Sequence, residues 1–313
     1  MKTALLCTGQ GSQYVGMIQD LAEKYPPAKE KIELADKILG FEISNICFDG
    51  PAETLKETRY TQPALFLHST VLIDLIKDKI EFSATAGHSI GEYAALYAAG
   101  VLSFEDALKL VALRGDLMFK AGEYAPGTMF AVIGAKEDKA IEDVCEKLTN
   151  PEKELYIVAA NYNSPGQLVV SGSAQHLRDN VSEFKAAGGR IIKELPVSGA
   201  FHSPLMMPAK EKLEEAINKT EFKDAQIPVY ANVSAKPLTK AAEIKEALIL
   251  QLTSPVRWTQ TMLAMKEAGL ETYAEAGPGK VLQGLVKRTL SDVEILGFDK
   301  VEDIEKLDSF ELL

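Results

Sequence analysis

Cysteine is scarce in this chain: three residues in 313, at positions 7, 47 and 145. None stands in a C-x-x-C spacing, so neither a disulfide framework nor a cysteine-rich zinc site is suggested. Basic residues are in deficit, 34 Lys and Arg against 45 Asp and Glu, for a net charge of −11. That excess argues against broad binding to nucleic acid or to an anionic membrane, while leaving room for a local basic patch. Long apolar runs are missing as well; none approaches the ~18 residues of a membrane span. The opening MKTALLCTGQGS has one lysine and an apolar run too short for a secretory h-region. Its Leu6 is too large for the residue before a lipoprotein cysteine. The expectation is a soluble cytoplasmic protein with no permanently bound cofactor or metal, bound to neither nucleic acid nor membrane, with a monomer as the default.

What is present is an ordinary globular composition, 46% hydrophobic and 25% charged, enough to bury a sizeable core. Residues 3–8 read as a buried strand. Residues 17–25, 28–39 and 61–79 have helical spacing, the last apolar all round as a buried helix is. EFSATAG reads as the next strand and GEYAALYAAG as a small-residue helix with Gly100 suited to its C-terminal cap. SFEDALKLVALRGDLMFKAG follows, with Ser103 placed to cap it. Strands alternating with helices indicate a mostly parallel sheet covered on both faces. From Thr128 to Val197 the rhythm becomes strand, helix, strand, NSPG turn, strand, helix (AQHLRDNVSEFKAAG), strand, which is the ferredoxin-like order. IPVYANV and TYAEAG resume the first pattern, and VLQGLVKR reads as a helix opened by the GPGK turn. The acidic end, FDKVEDIEKLDSFELL, reads as a terminal helix or a frayed tail. The fold class is therefore α/β: a discontinuous hydrolase-like core (1–127 and 198–313) with an inserted ferredoxin-like α+β subdomain (128–197).

Gly87-His88-Ser89-Ile90-Gly91 matches G-x-S-x-G with a strand before it and a helix after it, the context of a nucleophile elbow. An elbow serine needs a base, and there are four histidines. His68 falls in the buried helix and His176 on the insert's amphipathic helix. His88 adjoins the serine but faces the other side of the strand end, where it supports the elbow or the substrate. His202, in SGAFHSPLM, lies in a loop after the serine, as the histidine does in hydrolase-type triads. By elimination it is the base. No acid stands out as a third member, and a main-chain carbonyl can orient the imidazole instead. TGQGSQYVG fails the dinucleotide fingerprint because Tyr14 replaces the third glycine. Its Gln10 can still face an oxyanion beside the Ile90 N–H. Arg114, on a mainly apolar face after the elbow helix, is odd for a solvated charge and suits a carboxylate clamp, although a surface ion pair is the plain alternative.

Taken together these segments resemble the malonyl-CoA:acyl carrier protein transacylase family. GQGSQ, GHSIGEYAAL, LRG, NYNSPGQLVVSG, GAFHSPLM, SPVRW and AGPGKVL occur in that family's order, from Gly9 to Arg288. The resemblance implies Ser89 as nucleophile, His202 as base, Gln10 and the Ile90 amide at the oxyanion, and Arg114 on the malonyl carboxylate. Gln251 is then expected near the histidine, orienting it through its carbonyl, and Phe201 resembles malonyl-selective members. The chain departs from the family at Cys7-Thr8, where Phe-Pro is usual, at Phe119 after Met118, and at Ala200. The implied reaction moves malonyl from malonyl-CoA, a coenzyme A thioester substrate, to the phosphopantetheine thiol of an acyl carrier protein, in fatty-acid biosynthesis or in a polyketide system with a free-standing acyltransferase. A hydrolase of the same fold and a non-catalytic carrier-binding scaffold are the competing readings. Carrier proteins are acidic, so Lys185, Arg190 and Lys193 on the insert, facing Lys287 and Arg288 across a cleft, are the candidate docking cations.

Overall fold

All five residues of the first strand, Thr3–Cys7, are buried, as in a central parallel strand with helices on both faces. The computed structural model describes residues 2–310. Its strands are β1 (Thr3–Cys7), β2 (Phe82–Gly87), β3 (Gly127–Ile133), β4 (Ile157–Ser164), β5 (Gln167–Ser173), β6 (Ile191–Glu194), β7 (Val229–Tyr230), β8 (Pro237–Leu238), β9 (Thr272–Ala276) and β10 (Glu294–Phe298). Four short or peripheral helices come first, α1 (Gln19–Lys24), α2 (Pro26–Leu39), α3 (Ile43–Phe48) and α4 (Ala52–Lys56), and then the long buried α5 (Thr58–Ile76). They are followed by α6 (Gly91–Ala98), α7 (Phe104–Tyr124), α8 (Asp138–Leu148), α9 (Ala174–Asp179) and α10 (Val181–Ala186). The last five are α11 (Met207–Lys219), α12 (Ala241–Gln251), α13 (Trp258–Glu267), α14 (Val281–Thr289) and α15 (Val301–Phe310).

The larger sheet has the order β10-β9-β1-β2-β7-β8, parallel except for the β7–β8 hairpin. Cys7 pairs with Gly87 on one side and Ala276 on the other, so the loops after β1, β2 and β9 leave the sheet together at its carboxyl edge. Such an edge is where open α/β sheets bind ligands. Helices α5 and α7 pack closely beneath it. A Cβ on Gly115 would stand 2.9 Å from the Thr58 carbonyl oxygen, so glycine next to Arg114 lets the two helices approach.

Residues 127–194 form the second sheet, antiparallel in the order β4-β5-β3-β6. One face carries Phe130, Val132, Leu168 and Val170 against Ile141, Leu177 and Phe184 of its own helices. The alternating residues Met129 and Val169 point the other way and join the core of the larger unit. The NSPG turn closes as expected, with Gly166 at φ 71° between the paired Ser164 and Gln167.

Ser103 caps α7 by accepting from the Asp106 N–H at 3.1 Å, and Gly100 (φ 73°) ends α6. The helix expected over 174–188 is instead two, α9 and α10, broken at Asn180. There the side-chain amide donates to the His176 carbonyl at 2.8 Å, competing with the backbone for the acceptor a continuous helix needs. Two further differences concern strands. IPVYANV contributes only two residues to the sheet, and the edge strand β10 precedes the terminal helix α15. Residues 311–313, the end of the acidic tail and of the core segment 198–313, lie outside the described residues.

Candidate active site

Ser89 stands on the turn between β2 and α6 with φ 50°, in the left-handed region that non-glycine residues rarely occupy. The flanking glycines are sterically required. A Cβ at Gly87 would overlap the Gly91 carbonyl, and one at Gly91 would overlap the Cys7 carbonyl of the adjacent strand. Asn232, just past β7, fastens the turn: its Oδ1 accepts from the Ser89 N–H at 2.8 Å and its Nδ2 donates to the Gly87 carbonyl at 2.7 Å.

His202 reaches the same point from the loop before α11, with its own φ at 57°. Ser89 Oγ lies 2.8 Å from His202 Nε2. On the other side of the ring, Nδ1 lies 3.0 Å from the Gln251 carbonyl oxygen and 3.1 Å from that of Ser254. Carbonyl oxygens only accept, so Nδ1 carries the proton and Nε2 is left to accept from the Ser89 hydroxyl. That is the tautomer a general base needs, fixed by two backbone groups rather than by a carboxylate. Burial, with the nearby Arg114 cation second, pushes the imidazole down to about 3, so it is neutral at ordinary pH.

Arg114 is fully buried. Its Nη1 donates to Gln62 Oε1 at 2.8 Å, and its Nη2 donates to Ser89 Oγ at 3.1 Å and to Gln251 Oε1 at 2.9 Å. The plain alternative of a surface ion pair is therefore removed. A guanidinium has five N–H donors; these bonds use three, and the Nε of Arg114 is buried without a partner. Gln251 serves the site twice, by its main-chain carbonyl on His202 and by its side chain. Its Nε2 donates to the Ser89 carbonyl at 2.9 Å and to Glu92 Oε2 at 2.6 Å. Burial pushes the Glu92 carboxyl up to about 7, against the opposing effects of Gln251, Asn232 and Arg114.

A cavity of about 330 Å³ opens onto Ser89 and His202, lined by Gln10, Met118, Met129, Phe201 and His88 among others. It lies between the large sheet's carboxyl edge and the inward face of the small one. Gln10 Nε2 donates to Thr58 Oγ1 at 3.3 Å, and Ile90 is the N-cap residue of α6, its amide one residue past the serine. Phe201 is 5% exposed and both lines the cavity and packs in the main core. His88 does not turn away from the site as strand alternation suggests. It lines the same cavity, with Nε2 2.8 Å from Asn163 Oδ1 of β4 and its ring against Trp258.

The five docking cations are not brought together. Lys193 is on the edge strand β6, with Lys185 on α10 and Arg190 just before β6, whereas α14, carrying Lys287 and Arg288, packs at β4. Arg288 Nη1 is held by Gln167 Oε1 at 2.6 Å. That bond brings Arg288 to β5, and with the strand order β4-β5-β3-β6 two inter-strand spacings of ~4.8 Å, roughly 10 Å, still lie between it and β6. The two groups flank the small sheet at opposite edges instead of facing one another across a cleft.

Sequence reasoning missed Asn232, Glu92, Gln62 and Ser254. Glu92 stood inside the elbow segment and Ser254 inside TSPVRW, yet neither type nor spacing announces a role that depends on contacts 52 to 159 residues apart, those of Ser254 with His202 and of Glu92 with Gln251.

The fold and this geometry define a class: an α/β protein whose elbow serine is paired with a carbonyl-oriented histidine beneath a small inserted sheet. The chain belongs to the acyl transferase domain family, whose match spans residues 4–308. Among its relatives, the malonyl CoA-acyl carrier protein transacylase of Bacillus subtilis (strain 168) is 42% identical over 305 residues, 97% of this chain and 95% of that protein. That of Haemophilus influenzae (strain ATCC 51907 / DSM 11121 / KW20 / Rd) is 40% identical over 99% of both. The crystal structure of an acyl carrier protein S-malonyltransferase from Vibrio cholerae O1 biovar eltor superposes with a TM-score of 0.92 at 40% identity, covering 98% of this chain and all of that one. A malonyl-transacylase solved in complex with a type II polyketide synthase acyl-carrier protein gives 0.92 at 36% identity, covering 98% and 99%. No helix among the described residues is long and apolar enough to cross a membrane.

Proposed function

We propose that this chain is a malonyl-CoA:acyl carrier protein S-malonyltransferase, transferring malonyl by way of a Ser89 acyl-enzyme in the cytoplasm, as a monomer, in fatty-acid biosynthesis. The observation that carries the reading is a fully buried arginine donating to the nucleophile itself. In the first half-reaction His202 Nε2 takes the hydroxyl proton as Ser89 Oγ attacks the thioester carbonyl of malonyl-CoA. The tetrahedral oxyanion lies by the Ile90 amide and Gln10, and the proton returns to the departing coenzyme A thiolate. In the second, His202 takes the proton of the carrier's phosphopantetheine thiol, whose sulfur attacks the Ser89 ester and frees the hydroxyl.

The malonyl carboxylate accepts from Arg114, taking the unused Nη1 hydrogen together with the Nη2 hydrogen that now rests on Ser89 Oγ. A hydrolase of neutral acyl groups has no use for such a buried cation, and a non-catalytic scaffold has none for a fixed tautomer. Residues 1–127 and 198–313 act as the catalytic unit and 128–197 as the insert that roofs the cavity. His88 and Phe201 shape the acyl pocket. Coenzyme A enters as the substrate's carrier, and no permanently bound cofactor takes part. The acidic carrier protein docks on one of the two basic edges, Lys185–Arg190–Lys193 or Lys287–Arg288. Incubation with labelled malonyl-CoA, followed by intact-mass analysis, is expected to show one malonyl adduct on Ser89 that is discharged by holo-carrier protein. An adduct elsewhere, or none, refutes the reading.

A further inference from the structure

Glu92 is 2% exposed, sits in the first turn of α6 beside the elbow, and takes no part in the steps above. Its Oε2 accepts from Gln251 Nε2 at 2.6 Å and from the Asn232 N–H at 3.4 Å, a short bond and a long one. These are the two residues that hold the reacting groups. Asn232 fixes the Ser89 amide, and Gln251 Oε1 accepts from Arg114.

The Gln251 amide has one orientation that satisfies all of its neighbours. Its Nε2 must face two acceptors, Glu92 and the Ser89 carbonyl, while its oxygen faces the Arg114 donor. Removing the Glu92 oxygen strands one buried N–H, and the amide gains by turning in search of another acceptor. Any such turn takes Oε1 off Arg114.

We propose that Glu92 is a positioning residue: through the Gln251 amide it holds the Arg114 guanidinium in the pose that receives a substrate carboxylate. This rests on the malonyl reading of Arg114 given above. What matters is the reach of an acceptor oxygen, and its charge is secondary. Glutamine at 92 keeps the reach without the charge, whereas aspartate keeps the charge and withdraws the oxygen by one methylene.

The test is the ratio of kcat/KM for malonyl-CoA over acetyl-CoA in Glu92→Gln, Glu92→Asp, Glu92→Ala, Arg114→Ala and the double variant Arg114→Ala/Glu92→Asp. Glu92→Gln is expected to keep the ratio within about twofold of wild type. Glu92→Asp and, where it folds, Glu92→Ala are expected to lower it about tenfold, mainly through KM for malonyl-CoA. The double variant should be no less selective than Arg114→Ala alone, since both act on one interaction. A purely structural carboxylate would lower both substrates alike. If Arg114→Ala is selective but Glu92→Asp keeps the wild-type ratio, the role of Glu92 falls and the malonyl reading stands. The role of Glu92 also falls if Glu92→Gln loses as much as Glu92→Asp, because charge then governs. If Arg114→Ala itself lowers both substrates equally, the malonyl clamp falls and the role of Glu92 with it.

Discussion

Replacing Arg114 by alanine removes three hydrogen bonds from the interior: to Gln62, to Gln251 and to the nucleophile. The substrate carboxylate loses charge-assisted bonds worth ~1.5–3 kcal/mol, a factor of about 10 to 150 in kcat/KM for malonyl-CoA. Acetyl-CoA has no carboxylate and escapes that loss. Its turnover still falls somewhat, because Arg114 Nη2 also touches Ser89 Oγ. A second consequence separates the cation from its shape. Burial, and Arg114 after it, push His202 down to about 3, so loss of the cation raises the imidazole part of the way back and moves the acid limb of the acetyl-transfer profile to higher pH. The assays are kcat/KM for both thioesters across pH 4–9 with carrier protein, alongside thermal melting, since two buried amide oxygens lose their donor. Equal losses for malonyl and acetyl transfer, with an unmoved acid limb, would refute the clamp.

Ser89→Ala is expected to abolish the malonyl adduct while leaving the fold intact, because the Asn232 bonds that hold the turn use the Ser89 backbone and not its hydroxyl. His202→Ala should slow acylation and discharge alike, by about 10² to 10⁴ as for loss of a general base; an unaffected half-reaction measured by quench-flow would reject the shared role. Phe201→Ser should shift preference toward methylmalonyl-CoA by no more than the ~1–3 kcal/mol of a methyl-sized difference. Because Phe201 also packs in the core, it should lower stability too, and an unchanged ratio of the two thioesters would leave it a core residue alone. Charge reversal at Lys185, Arg190 and Lys193, tested separately from Lys287 and Arg288, should raise the carrier KM for one edge only, with little change for malonyl-CoA. Equal effects from both edges, or an equal effect on malonyl-CoA, would reject the docking assignment. Stability should also depend on two buried groups of opposite sign. His202, lowered to about 3, binds its proton more readily when unfolded, so its contribution is lost as pH falls from about 6.5 toward 3. Glu92, raised to about 7, destabilises as pH rises from about 4.5 through 7, so Glu92→Gln should gain in melting temperature over wild type as pH increases, and a pH-independent difference would contradict this.

Local chemistry was legible in the sequence wherever sterics or periodicity act over a few residues. The elbow is one case, since Gly87 and Gly91 are the only side-chain types that fit against Cys7 and one another. The Ser103 cap and the Pro165-Gly166 turn are others, and α5, with apolar residues on every side, declared its burial. The split at Asn180 was hidden because the competing bond is a choice between two acceptor arrangements of similar energy, which periodicity does not rank. Strand β10 was hidden for a related reason: EILGF is an edge strand with a weak alternation, and its partner Thr272–Ala276 fixes it from outside. The active site divides in the same way. Ser89 and His202 could be read from a motif and from the shortage of histidines. That a main-chain carbonyl could stand in for a third acid was read from the lack of any acid that stood out, and Gln251 entered only through the family resemblance. That the carbonyls of Gln251 and Ser254 set the tautomer, that Asn232 locks the turn and that Glu92 and Arg114 share one glutamine were decided by tertiary structure alone. Those bonds join backbone and side chains 49 to 159 residues apart, and their worth comes from desolvation, which exists only once the chain has closed around them.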